Sequence, residues 1–311
     1  MQKFAIITDS FCELNKDIRK EFDIDFVPGH LTFPDGTEKN LTLEWDLVEK
    51  ESFWTALKKN PDSFKTSPAN VAEITEKFEN YAKDGCDILS ISISSAISGS
   101  YNFTLQAKKA VSEKYPSVKI ICIDSLRYGA AFGLMCMKAS RMRADGKSID
   151  EVGDYLVQNK STFRQGGWLD DLSFVAKKGR ITNSKAFFGQ LIGIKPIGEL
   201  SENGLPTIIG NIKGEKLAYK VIMDYIESTI VDAKNQDILL CNSGREKQIA
   251  VLKQMIQDRL NPRAIYETEL FCGCGVNMGP GLMSAYYIGK PITKTLDDER
   301  KLLQELIEKN K

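Results

Sequence analysis

The chain has 311 residues, with 42 basic side chains against 42 acidic ones and hence no formal net charge at neutral pH. That balance makes nucleic acid and an anionic membrane surface poor partners, and no window approaches the roughly 18 apolar residues that span a bilayer. The seven cysteines are odd in number and lie mostly in apolar runs, and the start MQKFAIITDS has no basic stretch leading into an apolar one, so a reducing cytoplasm is the expected compartment.

Short β-branched runs alternate with amphipathic stretches, the pattern of an α/β protein with a mainly parallel sheet. In the first half, strands are expected at Phe4 to Thr8, Asp25 to Phe33, Asp87 to Ile93 and Val118 to Asp124. Helices are expected at Glu44 to Lys59, Asn70 to Asp84, Asn102 to Lys114, Arg127 to Ala144 and Ile149 to Lys160. The segment Lys65 to Asn70 reads as the N-terminal cap of the helix that follows it. From Phe163 the pattern changes: Gly193 to Leu200 and Leu205 to Gly210 flank Ser201-Glu202-Asn203-Gly204, a hairpin signal. Gly214 to Thr229, Asp237 to Asn242, Arg245 to Arg259 and Ala264 to Leu270 then restore the alternation of helix and strand. A boundary is expected near residue 160, giving an N-terminal Rossmann-like α/β domain (1–160) and a C-terminal α/β domain (161–311).

The strongest candidate site is residues 92–101, where five serines and Gly99 join an apolar strand to a helix. Such a junction aims backbone N–H groups and hydroxyls into one crevice, and the helix dipole favours an anion there. The plain alternative is that Ser98 or Ser100 caps the helix. Thr8-Asp9-Ser10 and Asp124-Ser125 close two further strands in a similar way, more than capping requires. A Ser-His-Asp triad would have to use His30, the one histidine. Cys272-Gly273-Cys274 has no second pair to complete a zinc site, no P-loop is present, and Gly273 to Gly279 is a weak match to a dinucleotide loop. No cofactor and no metal are expected.

Taken together, Ile6-Ile7-Thr8-Asp9-Ser10, Thr66-Ser67-Pro68-Ala69-Asn70, Ile93 to Tyr101, Asp124-Ser125, Lys177-Lys178-Gly179-Arg180-Ile181 and Gly279-Pro280-Gly281 resemble the DegV family, in family order over nearly the whole chain. That family includes the fatty-acid-binding subunits of bacterial fatty-acid kinase. The resemblance implies a two-domain α/β fold, with a mainly parallel sheet in the N-terminal domain and a mixed sheet with helices in the C-terminal domain. It implies a long-chain fatty acid buried between the domains and a separate ATP-dependent kinase subunit that phosphorylates the presented carboxylate, for phospholipid synthesis. The chain itself would not be catalytic. By the family pattern the carboxylate contacts fall on Thr66 and Ser98, with Ser67 and Gly99 beside them.

A third contact in the family is usually a histidine two residues before Gly-Pro-Gly, where this chain has Asn277. Asn277 offers a neutral amide and no charge, so it is expected to be a weaker contact. Pro68-Ala69-Asn70 is a second departure, since the family more often has a polar residue, proline and serine. Expected walls of the acyl tunnel are Phe187, Phe188, Leu191, Ile192 and Ile194 in one glycine-spaced run, with Met278 and Leu282 near the glycine turn. Lys178 and Arg180 are expected to dock the kinase. Two other readings stay open: the same fold holding a different small anionic or polar ligand, and a hydrolase using Ser98 as nucleophile.

Overall fold

The computed structural model describes residues 4–182 and 193–311. The first half runs β1 (Ala5–Asp9), α1 (Lys16–Phe22), β2 (Ile24–Val27), β3 (His30–Thr32), β4 (Glu38–Asn40), α2 (Lys50–Lys59), β5 (Lys65–Ser67), α3 (Val71–Ala82), β6 (Ile88–Ser92), α4 (Ser100–Lys114), β7 (Ile120–Asp124), α5 (Gly129–Ala144) and α6 (Ile149–Gln158). The second half runs β8 (Phe163–Leu169), α7 (Ser173–Lys177), β9 (Ile194–Leu200), β10 (Pro206–Lys213), α8 (Glu215–Thr229), β11 (Asp237–Asn242), α9 (Glu246–Leu260), β12 (Ala264–Glu269), α10 (Cys272–Met278), β13 (Leu282–Ile288) and α11 (Asp297–Asn310).

The fold is α/β, with a wholly parallel sheet in the order β2-β1-β6-β7 and a mixed sheet in the order β10-β9-β8-β13-β11-β12. Strand β1 shows why the first sheet reads as continuous apolar sequence. Its successive side chains enter two different cores, Ala5 and Ile7 facing α3 and α4 while Phe4 and Ile6 face α5. Helix α5 is buried without a break through Met137 and packs on β1 and β2 on one side and on β8, β11 and β13 on the other. A helix covered all round carries no polar stripe, so its residues read as core rather than as an amphipathic surface.

The run expected as one strand over residues 25–33 is two strands in different sheets. Pro28 has no N–H for a ladder, and Gly29 passes so close to β5 that a Cβ there would meet the Ser67 carbonyl oxygen at 2.5 Å. The chain turns at that point, and β3 leaves the parallel sheet for a small antiparallel one, β4-β3-β5. Thr66 and Ser67 therefore lie on a strand, not in a helix cap. The cap is Asn70, whose side chain accepts the Glu73 N–H while Glu73 reaches back to the Asn70 N–H. The expected hairpin is present as β9 and β10, closed by Ser201 and Leu205 with Gly204 at φ +75°. Its tip reaches the first half of the chain, where the Gly204 carbonyl accepts the Ser94 hydroxyl at 2.9 Å.

Candidate functional site

Between the carboxyl ends of the parallel strands and α10 lies a cavity of about 200 Å³. Thr66 and Ser67 enter it from β5, Ser98 and Gly99 from the turn after β6, and Asn277 and Met278 from α10. Five polar or small positions far apart in sequence thus meet at one end of one space. Asn277 Nδ2 lies 3.3 Å from Thr66 Oγ1 and 3.5 Å from the Gly273 carbonyl, donating to both. With a lone pair of Thr66 taken by the amide, the Thr66 hydroxyl proton is the one left to donate into the cavity. Ser98 Oγ accepts the Ser100 N–H at 3.2 Å and meets Ser100 Oγ at 2.9 Å. Gly99 stands at the cap position of α4 with no side-chain cap bond, so neither Ser98 nor Ser100 is the N-cap residue.

Phe11, Ile93, Ile97, Tyr128 and Pro206 complete the apolar part of the wall. A smaller space of about 40 Å³ shares Tyr128, Pro206 and Met278 with it and continues along the inner face of the mixed sheet past Leu169, Val175 and Leu282. The first space carries the hydroxyls of Thr66, Ser67 and Ser98, the Asn277 amide and the Arg180 side chain, and the second is lined mainly by apolar side chains, with Gln165 and Ser284 among them. Met278 lines both spaces and Leu282 the smaller one. Ile194 starts β9 half-buried, paired with Lys213 at the outer end of the β9–β10 ladder, and lines neither space. Phe187, Phe188, Leu191 and Ile192 lie outside the described residues. Tyr128 and Phe11 were not singled out by the sequence, although Phe11 directly follows Thr8-Asp9-Ser10 and Tyr128 lies three residues beyond Ser125.

The other strand-end serines serve the backbone instead. Ser10 Oγ accepts the Gly29 N–H at 2.9 Å, and Ser125 Oγ bridges the N–H and carbonyl of Arg127. His30 lies on β3 with Nε2 3.0 Å from Glu73 Oε2, and it does not line the cavity. Of the basic cluster, Lys177 and Lys178 both pair with Asp62, at 2.7 and 3.0 Å, and hold that carboxyl down at about 2. Arg180 takes no part in the Asp62 pairing; it donates from Nη1 to the Lys178 carbonyl and stands at the cavity wall.

The glycine-rich run 272–278 is a helix despite its poor propensity. Gly273 packs on Phe11 and Gly275 on Trp54, and a side chain at either would collide. Burial pushes the Cys272 thiol up to about 12 and the Cys274 thiol well above its ordinary value, so both stay protonated at neutral pH. Among the described residues no group of acidic, histidine or cysteine side chains is placed to hold a metal ion, and no helix is long and apolar enough to cross a membrane.

A model of the family described as uncharacterised protein, DegV family, matches residues 3–290, and the chain belongs to that family. A DegV domain-containing protein of Clostridium perfringens is 31% identical over 291 residues, covering 93% of this chain and 98% of the relative. Among solved structures, the chain is similar to a DegV family protein from Thermus thermophilus described by its fatty acid binding. That match has a TM-score of 0.81 at 22% identity and covers 93% of this chain and 100% of the other. It is also similar to the Streptococcus pneumoniae fatty acid kinase B3 protein loaded with linoleic acid, with a TM-score of 0.76 at 19% identity over 92% of this chain and 99% of the other.

Proposed function

We propose that this protein is a cytoplasmic, non-catalytic carrier that holds a long-chain fatty acid and presents its carboxylate to a separate ATP-dependent kinase. The carboxylate sits against Thr66, Ser98 and Asn277, with Ser67 and Gly99 alongside, and the acyl chain follows the apolar passage past Met278 toward Leu282. The observation that carries this reading is the gathering of hydroxyls and an amide in the first space, with mainly apolar side chains lining the second. The fatty acids bound by the Thermus and Streptococcus proteins support it. Each buried methylene contributes about 0.8 kcal/mol, while a neutral hydrogen bond nets only about 0.5 to 1.5 kcal/mol. Affinity therefore comes from the tail, and the hydroxyls set which end faces the kinase. Arg180, at the cavity wall and outside the Asp62 pairing, is the residue placed to meet that partner.

The test is a native mass spectrum of the freshly purified protein, followed by identification of the released ligand. A mass increment equal to a long-chain fatty acid is expected, together with a roughly threefold to tenfold affinity loss in Ser98→Ala or Thr66→Val. A small polar anion in its place would overturn the fatty-acid reading and favour a changed ligand in the same fold. A Ser98-dependent hydrolase would reveal itself by turnover of activated esters. That reading has little to build on, since His30 is engaged by Glu73 away from the cavity.

A further inference from the structure

Behind the polar end of the cavity stands a carboxyl group that the proposed binding does not use. Asp9 ends β1 with Oδ1 accepting the Phe11 N–H at 3.1 Å and Oδ2 accepting the Ile93 N–H at 2.9 Å. Both of those residues line the cavity, so Asp9 is one residue's thickness away from whatever fills it. Asp9 also borders a small space of about 20 Å³, large enough to admit one water molecule. Ser90, Ser92, Ser100 and Thr104 give that space its polar lining. Hydroxyl-bearing residues lie between that space and the site, linked in part through the Ser100 backbone carbonyl. Ser92 Oγ lies 3.3 Å from Thr104 Oγ1, Thr104 bonds the Ser100 carbonyl at 2.9 Å, and Ser100 Oγ meets Ser98 Oγ at 2.9 Å.

The charge environment of Asp9 is one-sided. Among the described residues, the titratable groups that the Asp9 charge pushes upward are Cys12 and Glu13 from the segment after β1, Cys136 from α5 and Cys274 from α10, all of them acids that are uncharged when protonated. β6 and α4 present only hydroxyls to it, and α3 presents Ile74. Burial pushes the Asp9 carboxyl up to about 7, against the pull of its two backbone N–H bonds. A ligand carboxylate arriving on the far side of the Phe11–Ile93 wall adds a like charge to Asp9, and the one cation among the described residues that line the cavity, Arg180, is exposed and bonded to the Lys178 carbonyl.

We propose that Asp9 takes up a proton when a carboxylate ligand enters the cavity, so that anion binding and protonation of Asp9 are one linked event. The inference rests on the reading that a carboxylate occupies the Thr66 end. An O–H bond forms at Asp9 with a proton drawn from solvent, and the site carries one negative charge before and after. Linkage makes the effect reciprocal: a fatty acid binds more weakly as pH rises past neutrality, and its presence raises the Asp9 pKa.

The probe is linoleic acid labelled with ¹³C at its carboxyl carbon, titrated calorimetrically at slightly alkaline pH in two buffers of different ionisation enthalpy. Up to about one proton taken up per ligand is expected, with the ¹³C shift showing the ligand itself ionised. The uncharged long-chain alcohol should take up none, and Asp9→Asn should bind linoleate without uptake and with a flattened pH dependence. Binding without proton uptake, or uptake that persists in Asp9→Asn, overturns the inference alone. Failure of the wild-type protein to bind linoleate overturns the fatty-acid reading and this inference with it. Should Asp9→Asn fail to fold, infrared difference spectra of wild-type protein carrying isotope-labelled aspartate decide. A protonated aspartate band appearing with ligand supports the proposal, and its absence overturns it.

Discussion

Glu13 is fully buried beside α10, with Oε2 accepting the Phe271 N–H at 2.7 Å and Oε1 without a partner. Burial raises its carboxyl from 4.5 to about 8. An acid whose pKa is raised on folding adds stability that is complete below its unfolded pKa and lost as pH climbs through the folded value. Glu13 should therefore cost the protein stability between about 4.5 and 8, on the order of 5 kcal/mol once fully ionised. Glu13→Gln should flatten the fall in urea midpoint over that range, and a wild-type slope in the variant would refute the assignment. Side chains of this kind were invisible in the sequence, because a shifted acid is made by its surroundings. Ser98 and Gly99 were singled out because small and hydroxyl residues at strand ends are where an open α/β sheet binds ligands, whereas Thr66, Ser67 and Asn277 came from the family pattern, and the structure brings all five to one cavity. Ser10 and Ser125 carried the same signal and turned out to bond their own backbone. A strand-end serine looks alike in sequence whether it faces a ligand or a turn.

Elements were legible where local pattern and tertiary need agree, as at β1, α3, α6 and the β9–β10 hairpin. They were not where packing overrides propensity. Helix α10 forms from cysteines and glycines because only residues without bulk fit between Phe11 and Trp54, and no periodicity announces that. The break at Pro28-Gly29 was written plainly in the sequence, yet the apolar run around it suggested one strand. Gly133 in α5 is a further case of close approach, since a Cβ there would sit 2.2 Å from the Cys12 carbonyl oxygen. The obstacle is backbone and cannot swing aside. Gly133→Ala, which raises helix propensity, should nevertheless destabilise the protein by about 1 to 3 kcal/mol. Urea unfolding would measure it, and a neutral or stabilising result would mean that α5 can move off the first sheet.

For the molecule as a whole, zero net charge leaves association to local fields rather than to global attraction. Lys178 has its charge answered by Asp62, whereas Arg180 stands at the cavity wall. Charge reversal at Arg180 should therefore slow acyl-phosphate formation by the kinase roughly tenfold at low ionic strength, with a smaller loss in salt. Lys178→Glu should do much less, and an unchanged rate in Arg180→Glu, with ligand affinity measured alongside, would sink the docking role. The two-sheet plan was readable from the alternation of runs, but the passage between the sheets was not, because it exists only where the halves meet. Helix α5 belongs to the first half by chain order and to both by contact. A cut between α6 and β8 would strip one flank of that helix bare, so neither piece would be ready for water. Shuffling of either half into another protein is thereby closed off, and the chain can be inherited, truncated or redesigned only as a whole.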